Sequence, residues 1–248
     1  MFCDAMHLLG DGMVRTFFWY ALGWMFLFLT YPVLLAVKIL VKTGRLKQSD
    51  DLTDRFTRWL ARQLFYITGS AICVSGQENV PGDEPVLFVS NHQSHMDSVI
   101  IHGFICKPKG FVSIIEVLKV PVIRTWMRFM KCVFLDRSNI RQSLGCLEQC
   151  VEILKQGHSM VIFPEGKLNE GGPVAEFKKG CLKVAQKAGV AIVPVTLRNS
   201  YTVMNKNGSR IKAAAVECII SGPVHVKDAG NSEKELMNTV REIIVSKL

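Results

Sequence analysis

The sequence places a histidine and an aspartate five residues apart, directly after an apolar segment. The run PVLFVS is followed by NHQSHMD at positions 91–97. A neutral imidazole can take a proton from a hydroxyl group, and a nearby carboxylate can fix its tautomer and stabilise the imidazolium. The spacing alone is weak evidence, but its location in the turn between a predicted strand and a predicted helix makes His92 a candidate general base, partnered by Asp97. The alternative is purely structural: Ser94 and Asp97 could form a capping box for the helix that follows.

Two further apolar segments end in charged residues. VFLDR ends at Arg137, which could serve the same site as a cation or could pair with Asp136 and face water. VIFPEGK ends at Lys167. Pro164 cannot donate to a sheet ladder, so the strand should end there, and Gly166 would let the backbone approach a ligand closely.

The rest of the chain alternates strand and helix patterns. Strands are predicted at 71–75, 86–89, 111–115, 132–135, 160–163, 191–196 and 216–221, and helices at 94–105, 121–130, 141–156, 178–188 and 232–245. Ser232 and Glu235 form an S-x-x-E capping box signature at the start of the last helix. Such alternation indicates an α/β fold with a mostly parallel central sheet flanked by helices.

A parallel sheet would gather the three charged segment ends at one edge. Ligands of α/β sheets bind at the carboxyl ends of the strands. His92, Arg137 and the Glu165–Gly166–Lys167 turn should therefore surround one site. The run FKKG at 177–180 is predicted to open a helix, whose N-terminus and flanking lysines could hold a phosphate.

The N-terminal part of the chain is predicted to associate with a membrane. Residues 16–37 form a run of 22 residues without a charge, eight of them aromatic. A helix of this length, at about 1.5 Å per residue, could cross a hydrocarbon core of about 30 Å. Pro32 interrupts the run, so a simple span and a bent, half-inserted hairpin both remain open. The basic flank that follows predicts a cytoplasmic side and consists of Lys38, Lys42, Arg45 and Lys47.

An amphipathic helix should follow this run, and then an α/β domain. Ser49 is predicted to cap a helix that carries apolar residues at helical spacing with arginines between them. It could pack on a core or lie on an anionic bilayer. We place the domain boundary near Gly69, with membrane-associating helices over 1–69 and an α/β domain over 70–248.

Composition narrows the class of protein. Hydrophobic residues make up 49% of the chain and charged residues 21%, which excludes intrinsic disorder. The net charge of +9 favours polyanionic partners, and a mean hydropathy of +0.23 favours lipid among them. The basic residues form no dense stripe with aromatics, so nucleic acid is not expected as a partner. Eight cysteines without a CxxC pair argue against a zinc ribbon or a disulfide scaffold and suit reduced thiols.

Four segments together resemble the ordered motifs of the glycerolipid acyltransferases. They are NHQSHMD, VFLDR, VIFPEGK with FKKG downstream, and IVPV at 192–195. Within that family the chain is most similar to the 1-acylglycerol-3-phosphate (lysophosphatidate) acyltransferases, over roughly residues 69–197. Two positions depart from the family pattern. Lys167-Leu168 stand where Thr-Arg or Ser-Arg is common, and Ser113, Ile114 and Ile115 stand where a lysine is often found.

The resemblance implies direct acyl transfer from acyl-CoA or acyl-carrier protein to lysophosphatidate, giving phosphatidic acid at the cytoplasmic face of a phospholipid membrane. It implies no metal and no cofactor beyond the acyl donor. His92 and Asp97 would be catalytic. The implied substrate-binding set comprises Asn91, Ser94, Arg137, Glu165, Gly166 and Lys167.

Other functions remain open at this point. The acceptor could instead be glycerol 3-phosphate or another lysolipid. A metal-dependent hydrolase could use His92, His95 and Asp97 as ligands, although no second cluster completes such a site. A non-enzymatic, basic membrane-binding protein would explain the charge and the apolar run, but not three charged strand ends.

Overall fold

A seven-stranded sheet forms the centre of the part of the chain that the structure, a computed structural model, describes: residues 12–136, 140–204, 210–226 and 232–248. Its strands are β1 (Ala71–Ser75), β2 (Val86–Ser90), β3 (Lys109–Ile114), β4 (Val133–Leu135), β5 (Ser159–Ile162), β6 (Ala191–Arg198) and β7 (Ala215–Ile220). They lie in the order β1-β7-β6-β2-β5-β3-β4. Among the strand pairs of the described residues, β6–β7 alone is antiparallel, so the predicted mostly parallel α/β sheet is confirmed.

Helices cover the sheet and precede it. They are α1 (Gly12–Leu29), α2 (Tyr31–Lys42), α3 (Leu46–Tyr66), α4 (Met96–Phe104), α5 (Pro121–Phe129), α6 (Ile140–Lys155), α7 (Lys183–Ala188), α8 (Ser200–Val203) and α9 (Glu233–Val245). The capping box at the start of α9 is confirmed, because the Ser232 hydroxyl accepts the Glu235 N–H while the Glu235 carboxylate accepts the Ser232 N–H.

Two predicted helix starts are wrong. The α3 helix begins at Leu46, and the Ser49 N–H already donates to the Arg45 carbonyl at 3.0 Å, so Ser49 lies inside the first turn instead of capping it. The FKKG run opens no helix, because Gly180 adopts a left-handed backbone (φ +88°) and α7 begins only at Lys183. The lysines of this run therefore lie on an irregular segment.

Strand β2 lies at the centre of the core and is buried at every position. Leu87 and Val89 face a cluster formed with α6, α7 and α9, while Phe88 faces a second cluster formed with α4 and the end of α3. A strand covered on both faces reads as a continuous apolar run, and this is how VLFVS appears in the sequence. The fixed end of this strand carries the NHQSHMD loop.

The apolar N-terminal segment forms a nearly continuous helix that is docked along one face. Hydrogen bonds from the Thr30 N–H to the Phe26 carbonyl, and from the Leu34 N–H to the Thr30 carbonyl, bridge the break between α1 and α2. Pro32 lies in the first turn of α2, where its missing N–H costs little. By length and composition, Thr16–Lys42 is able to cross a membrane.

Side-chain hydrogen bonds between described residues hold this helix against the domain. The Ile211 N–H donates to Thr16 Oγ1 at 2.9 Å, Trp19 Nε1 donates to the Leu64 carbonyl at 2.9 Å, and Trp126 Nε1 donates to Thr30 Oγ1 at 3.1 Å. The opposite face is apolar and exposed and includes Phe17, Phe18, Tyr20, Trp24, Met25, Phe28, Leu29, Tyr31, Leu35 and Ile39. The docked face fixes the helix on the domain, and large apolar side chains on the opposite face remain partly exposed.

Candidate active site

The loop after β2 brings His92 and Asp97 into direct contact. The distance from His92 Nδ1 to Asp97 Oδ2 is 2.9 Å, and the Asp97 side chain is fully buried. Because a carboxylate oxygen only accepts hydrogen bonds, this contact assigns the proton of the neutral ring to Nδ1. The lone pair of Nε2 is then left to take a proton from a substrate.

Asp97 also organises the start of α4. Its Oδ2 accepts the main-chain N–H groups of Gln93 at 2.6 Å and Ser94 at 2.8 Å, while Ser94 Oγ accepts the Met96 N–H at 3.1 Å. The capping geometry and the pairing with His92 are therefore not alternatives. One carboxylate fixes both the loop and the imidazole.

Phe163, the residue after β5, holds the other side of the imidazole. Its ring lies 4.0 Å from the His92 ring, centroid to centroid, at an interplanar angle of 15°. The His92 side chain remains 16% exposed. Stacking on Phe163 and the bond to Asp97 together leave the imidazole little freedom to rotate.

Glu165 and Asn169 both form hydrogen bonds with the main chain of His92, one with its N–H and the other with its carbonyl. Glu165 Oε1 accepts the His92 N–H at 2.8 Å, and the Asn169 N–H donates to the His92 carbonyl at 2.7 Å. Asn169 Nδ2 donates to both Glu165 oxygens, at 3.2 and 3.1 Å. The Ala175 N–H donates to Glu165 Oε2 at 2.8 Å. Both oxygens of this buried carboxylate are thus engaged by His92, Asn169 and Ala175, and Glu165 does not line the cavity described below.

Helix α9 supports these contacts through Arg241. The Arg241 guanidinium donates to the carbonyls of Val174 at 2.6 Å and Ala175 at 3.3 Å. The chain of contacts therefore runs from Arg241 through the 174–175 segment to Glu165 and His92. Neither Asn169 nor Arg241 carried a signal in the sequence, because each works through main-chain groups that are distant along the chain.

Two of the predicted substrate-binding residues lie beneath the loop. Asn91 is fully buried and exchanges two hydrogen bonds with the main chain of Leu197, at 2.9 and 2.8 Å. Ser94 is also fully buried. Neither of them lines the cavity described below. Asn91 fastens the end of β2 to β6, and Ser94 shapes the first turn of α4.

A largely apolar cavity of about 1000 Å³ opens at His92. Near His92 it is lined by Phe163, Gly166, Lys167 and Lys178. The remaining wall consists mainly of apolar side chains from α1, α3, α4, α5 and β3, including Trp19, Leu60, Val99, Phe111, Ile123 and Met127. The size and polarity match a site for a long apolar ligand with a polar end.

The predicted convergence of strand ends is confirmed for β2 and β5, which pair in parallel and both deliver residues to this cavity. Strand β4 also ends here, because Leu135 lines the cavity. Arg137 itself lies outside the described residues, so its role stays a prediction.

The cysteines near the site are buried thiols. Cys132 and Cys181 both line the cavity. Burial raises the pKa of Cys132 to about 12 and that of Cys181 to about 11, so both are protonated at neutral pH. A protonated thiol is a poor nucleophile. Within the described ranges, no group of three or more His, Cys, Asp or Glu side chains is arranged to hold a metal ion.

Comparison with known proteins gives consistent matches. The sequence pattern of the acyltransferase family matches residues 71–198. A chloroplast 1-acyl-sn-glycerol-3-phosphate acyltransferase of Arabidopsis thaliana is 36% identical over 179 residues, which cover 71% of this chain and 49% of that protein. A 1-acyl-sn-glycerol-3-phosphate acyltransferase of Borreliella burgdorferi is 33% identical over 185 residues, covering 74% of each chain. The chain thus spans about half the length of the plant relative and three quarters of the bacterial one.

A solved structure matches along almost the whole chain. The crystal structure of the 1-acyl-sn-glycerophosphate (LPA) acyltransferase from Thermotoga maritima superimposes with a TM-score of 0.86 at 27% sequence identity. The alignment covers 95% of this chain and 94% of that one, so the N-terminal helices are included in the similarity.

Proposed function

The chain belongs to the acyltransferase family, and we propose that it transfers a fatty acyl group from an acyl thioester to the free sn-2 hydroxyl of 1-acyl-glycerol-3-phosphate, giving phosphatidic acid. The observation that carries this proposal is the His92–Asp97 pair at the opening of a large apolar cavity. The names of the relatives from Arabidopsis thaliana and Borreliella burgdorferi support the choice of acceptor.

The chemistry follows from the orientation of the imidazole. His92 Nε2 takes the proton of the acceptor hydroxyl while the oxygen of that hydroxyl attacks the thioester carbonyl carbon. The carbon–sulfur bond then breaks, and the departing thiolate takes the proton from the imidazolium. Asp97 stabilises the imidazolium through Nδ1. General-base assistance of this kind contributes about 10² to 10⁴ in rate.

The cavity offers a place for the acyl chain. Its wall is mainly apolar and reaches from His92 towards Trp19 on α1 and Trp126 on α5. Binding the chain there would hold the thioester carbonyl near Nε2, which is how positioning contributes to rate. The donor can be acyl-CoA or acyl-carrier protein, since both present the same kind of thioester. The net charge of +9 favours either of these anionic donors.

The opening of the cavity near His92, where Lys167 lies, would hold the acceptor phosphate. Lys167 is exposed and lines the cavity beside Gly166. Arg137 follows β4, which ends at the same place, and a guanidinium can hold two phosphate oxygens at once. With the phosphate bound at this rim, the sn-2 hydroxyl would lie within reach of His92.

We further propose that the protein lies in the membrane interface, with the α/β domain on the cytoplasmic face. A helix docked along its length cannot cross a bilayer without losing its contacts to Leu64, Trp126 and Ile211. Its exposed face carries the aromatic and aliphatic side chains expected of an interfacial helix. This arrangement is half-inserted, but it lacks the bent hairpin of the second alternative, because hydrogen bonds through Thr30 continue α1 into α2. It would deliver a membrane-borne acceptor to the cavity.

Product analysis tests the proposed function. Membranes containing the protein would be supplied with lysophosphatidate, glycerol 3-phosphate or another lysolipid, together with a mixture of acyl-CoA and acyl-carrier-protein donors. Mass spectrometry should detect phosphatidic acid with lysophosphatidate as acceptor, and none in the same preparation of His92→Ala. Absence of phosphatidic acid with the wild-type protein, while another acceptor is acylated, would reassign the substrate.

A further inference from the structure

The side chain of Lys178 lies directly across the α-carbon of Gly166. A Cβ built at Gly166 would lie 2.5 Å from Lys178 Cε, 2.7 Å from Nζ and 2.9 Å from Cδ. These distances are far below van der Waals contact. A side chain at residue 166 would therefore displace the end of this lysine from its present place.

Main-chain contacts bring Lys178 to this turn. Its N–H donates to the Pro164 carbonyl at 2.9 Å, and the Gly166 N–H closes the turn on the Phe163 carbonyl at 3.1 Å. Gly166 itself has a left-handed backbone (φ +67°). The irregular segment that carries Lys178 is thus tied to the end of β5, next to the stacking partner of His92.

The Lys178 ammonium is placed in the opening without an anionic partner. Lys178, Lys167 and His92 line the same cavity. In the four described ranges, Lys178 Nζ takes part in no hydrogen bond or ion pair. Nearby Lys183, by contrast, pairs with Glu233 at 3.2 Å. Lys178 is exposed, and an unpaired cation at the opening of the cavity is suited to bind an anionic group of a ligand.

We propose that Lys178 binds the phosphate of the lysolipid acceptor and that Gly166, whose left-handed backbone already favours glycine, also leaves the space that the lysine crosses. The assignment rests on the proposed function and adds to it a phosphate ligand outside the VFLDR and VIFPEGK segments. An ammonium is a compact charge with three donors, which suits a phosphomonoester. The glycine then serves the close approach of a protein side chain rather than that of substrate to the backbone.

Steady-state kinetics of Lys178→Gln tests whether Lys178 binds the acceptor phosphate. Lysophosphatidate would be compared with 1-acylglycerol, which lacks the phosphate. A lost charge-assisted contact should raise the KM for lysophosphatidate roughly 10- to 100-fold and leave 1-acylglycerol unaffected. Lys187→Gln, a change at an exposed lysine of α7 outside the cavity, is the matched control and should change neither acceptor. Equal losses on both acceptors would overturn the assignment.

Equilibrium binding supplies a second readout in case 1-acylglycerol turns over too slowly. In a His92→Ala background, Lys178→Gln should weaken the binding of lysophosphatidate and not that of 1-acylglycerol. Unchanged binding of lysophosphatidate would overturn the proposal.

A donor comparison distinguishes the source of the phosphate. Acyl-CoA carries phosphate groups, whereas an acyl-N-acetylcysteamine thioester carries none. The KM for acyl-CoA should change little in Lys178→Gln. If the defect instead appears with acyl-CoA and disappears with the phosphate-free donor, Lys178 binds the donor and the acceptor assignment is wrong.

A double-mutant cycle tests whether residue 166 affects acceptor binding through Lys178. Gly166→Ala strains the left-handed backbone in either background, but it displaces the ammonium only where Lys178 is present. Its effect on the KM for lysophosphatidate should therefore be smaller in the Lys178→Gln background than in the wild-type protein. Gly189→Ala controls for backbone strain, because Gly189 has a similar left-handed φ of +72° and no atom within 4 Å of a built Cβ. Independent, additive losses would overturn the coupling between the two residues. Failure of the wild-type protein to form phosphatidic acid would instead reject the proposed function itself.

Discussion

The main-chain N–H of His92 donates to the side chain of Glu165, 73 residues further along the chain, at 2.8 Å. This contact joins the end of β2 to the turn after β5, and Asn169 closes it from the other side through the His92 carbonyl. In this geometry Glu165 contacts His92, the proposed base, and we expect it to be a positioning residue. Its expected effect is therefore on the chemical step.

We predict that Glu165→Gln lowers kcat with little change in the KM for lysophosphatidate. The amide replaces one acceptor oxygen by a donor, so one of the N–H groups of His92 and Ala175 loses its partner. An unsatisfied buried group of this kind costs about 1–3 kcal/mol, in stability and in the placement of the base. Steady-state kinetics checks the split between kcat and KM. A large rise in KM at unchanged kcat would instead indicate that Glu165 contacts the acceptor.

Asn169→Ala should lower kcat by a smaller factor, roughly threefold to tenfold, corresponding to about 1 kcal/mol. The variant removes the two side-chain bonds to Glu165 and keeps the main-chain bond to His92. Asn79→Ala is the matched control, since Asn79 Nδ2 also donates a hydrogen bond, to the Ile220 carbonyl at 2.9 Å, outside the candidate site. Comparable kcat values for the two variants would show that the hydrogen bonds between Asn169 and Glu165 have no catalytic effect.

The exposed face of α1 should govern binding to membranes. Phe17 and Phe28 are 68% and 66% exposed, and burial of each in lipid contributes about 1.5–3 kcal/mol. Replacing both by Ser should shift the protein from anionic vesicles to the supernatant in a sedimentation assay. High salt should release the wild-type protein poorly, because hydrophobic insertion is not screened.

Val245→Ser, at an exposed apolar position of α9, controls for a general loss of hydrophobicity and should leave vesicle binding unchanged. Full release of the wild-type protein by salt alone would mean that the attachment is electrostatic.

Buried Lys109 should make folding stability depend on pH. Its ammonium donates to the carbonyls of Ile105 and Lys107, yet desolvation lowers the pKa of Lys109 to about 7. Between pH 7 and the ordinary lysine pKa of about 10.4, the unfolded chain binds a proton that the folded protein lacks, so stability rises with pH in this window.

Urea unfolding in detergent at pH 7 and pH 9.5 checks this for the wild-type protein and Lys109→Met. The wild-type protein should gain stability relative to the variant as the pH rises. A difference between the two proteins that does not change with pH would mean that the folded and unfolded states hold the Lys109 proton equally.

The sequence was informative where the determining contacts are local or periodic. Apolar runs such as VLFVS predicted the strands, and the S-x-x-E signature at Ser232 predicted a cap that the structure contains. The His92–Asp97 pair also lies within one loop. By contrast, the hydrogen bonds of Glu165 and Asn169 to the main chain of His92 depend on which strands are neighbours in the sheet. No pattern in a single sequence encodes this strand order.

The FKKG run illustrates the limit of local rules. Its lysines looked like a helix start, but the left-handed Gly180 interrupts the chain there, and α7 begins later. Lys178 nevertheless reaches the candidate site, across Gly166 and through a main-chain bond to Pro164. A site placed by tertiary contacts was thus attributed to a local element.

The most direct test of the account is the rate of phosphatidic acid formation from lysophosphatidate by His92→Ala in the membrane-bound, folded state. The account predicts a loss of about 10² to 10⁴ in kcat, since the base that takes the hydroxyl proton is removed. Asp97→Asn should also reduce kcat, because the imidazolium loses its charged partner. Vesicle binding of both variants should match that of the wild-type protein. A folded, membrane-bound His92→Ala protein that forms phosphatidic acid at the wild-type rate would contradict the assignment of His92 as the base.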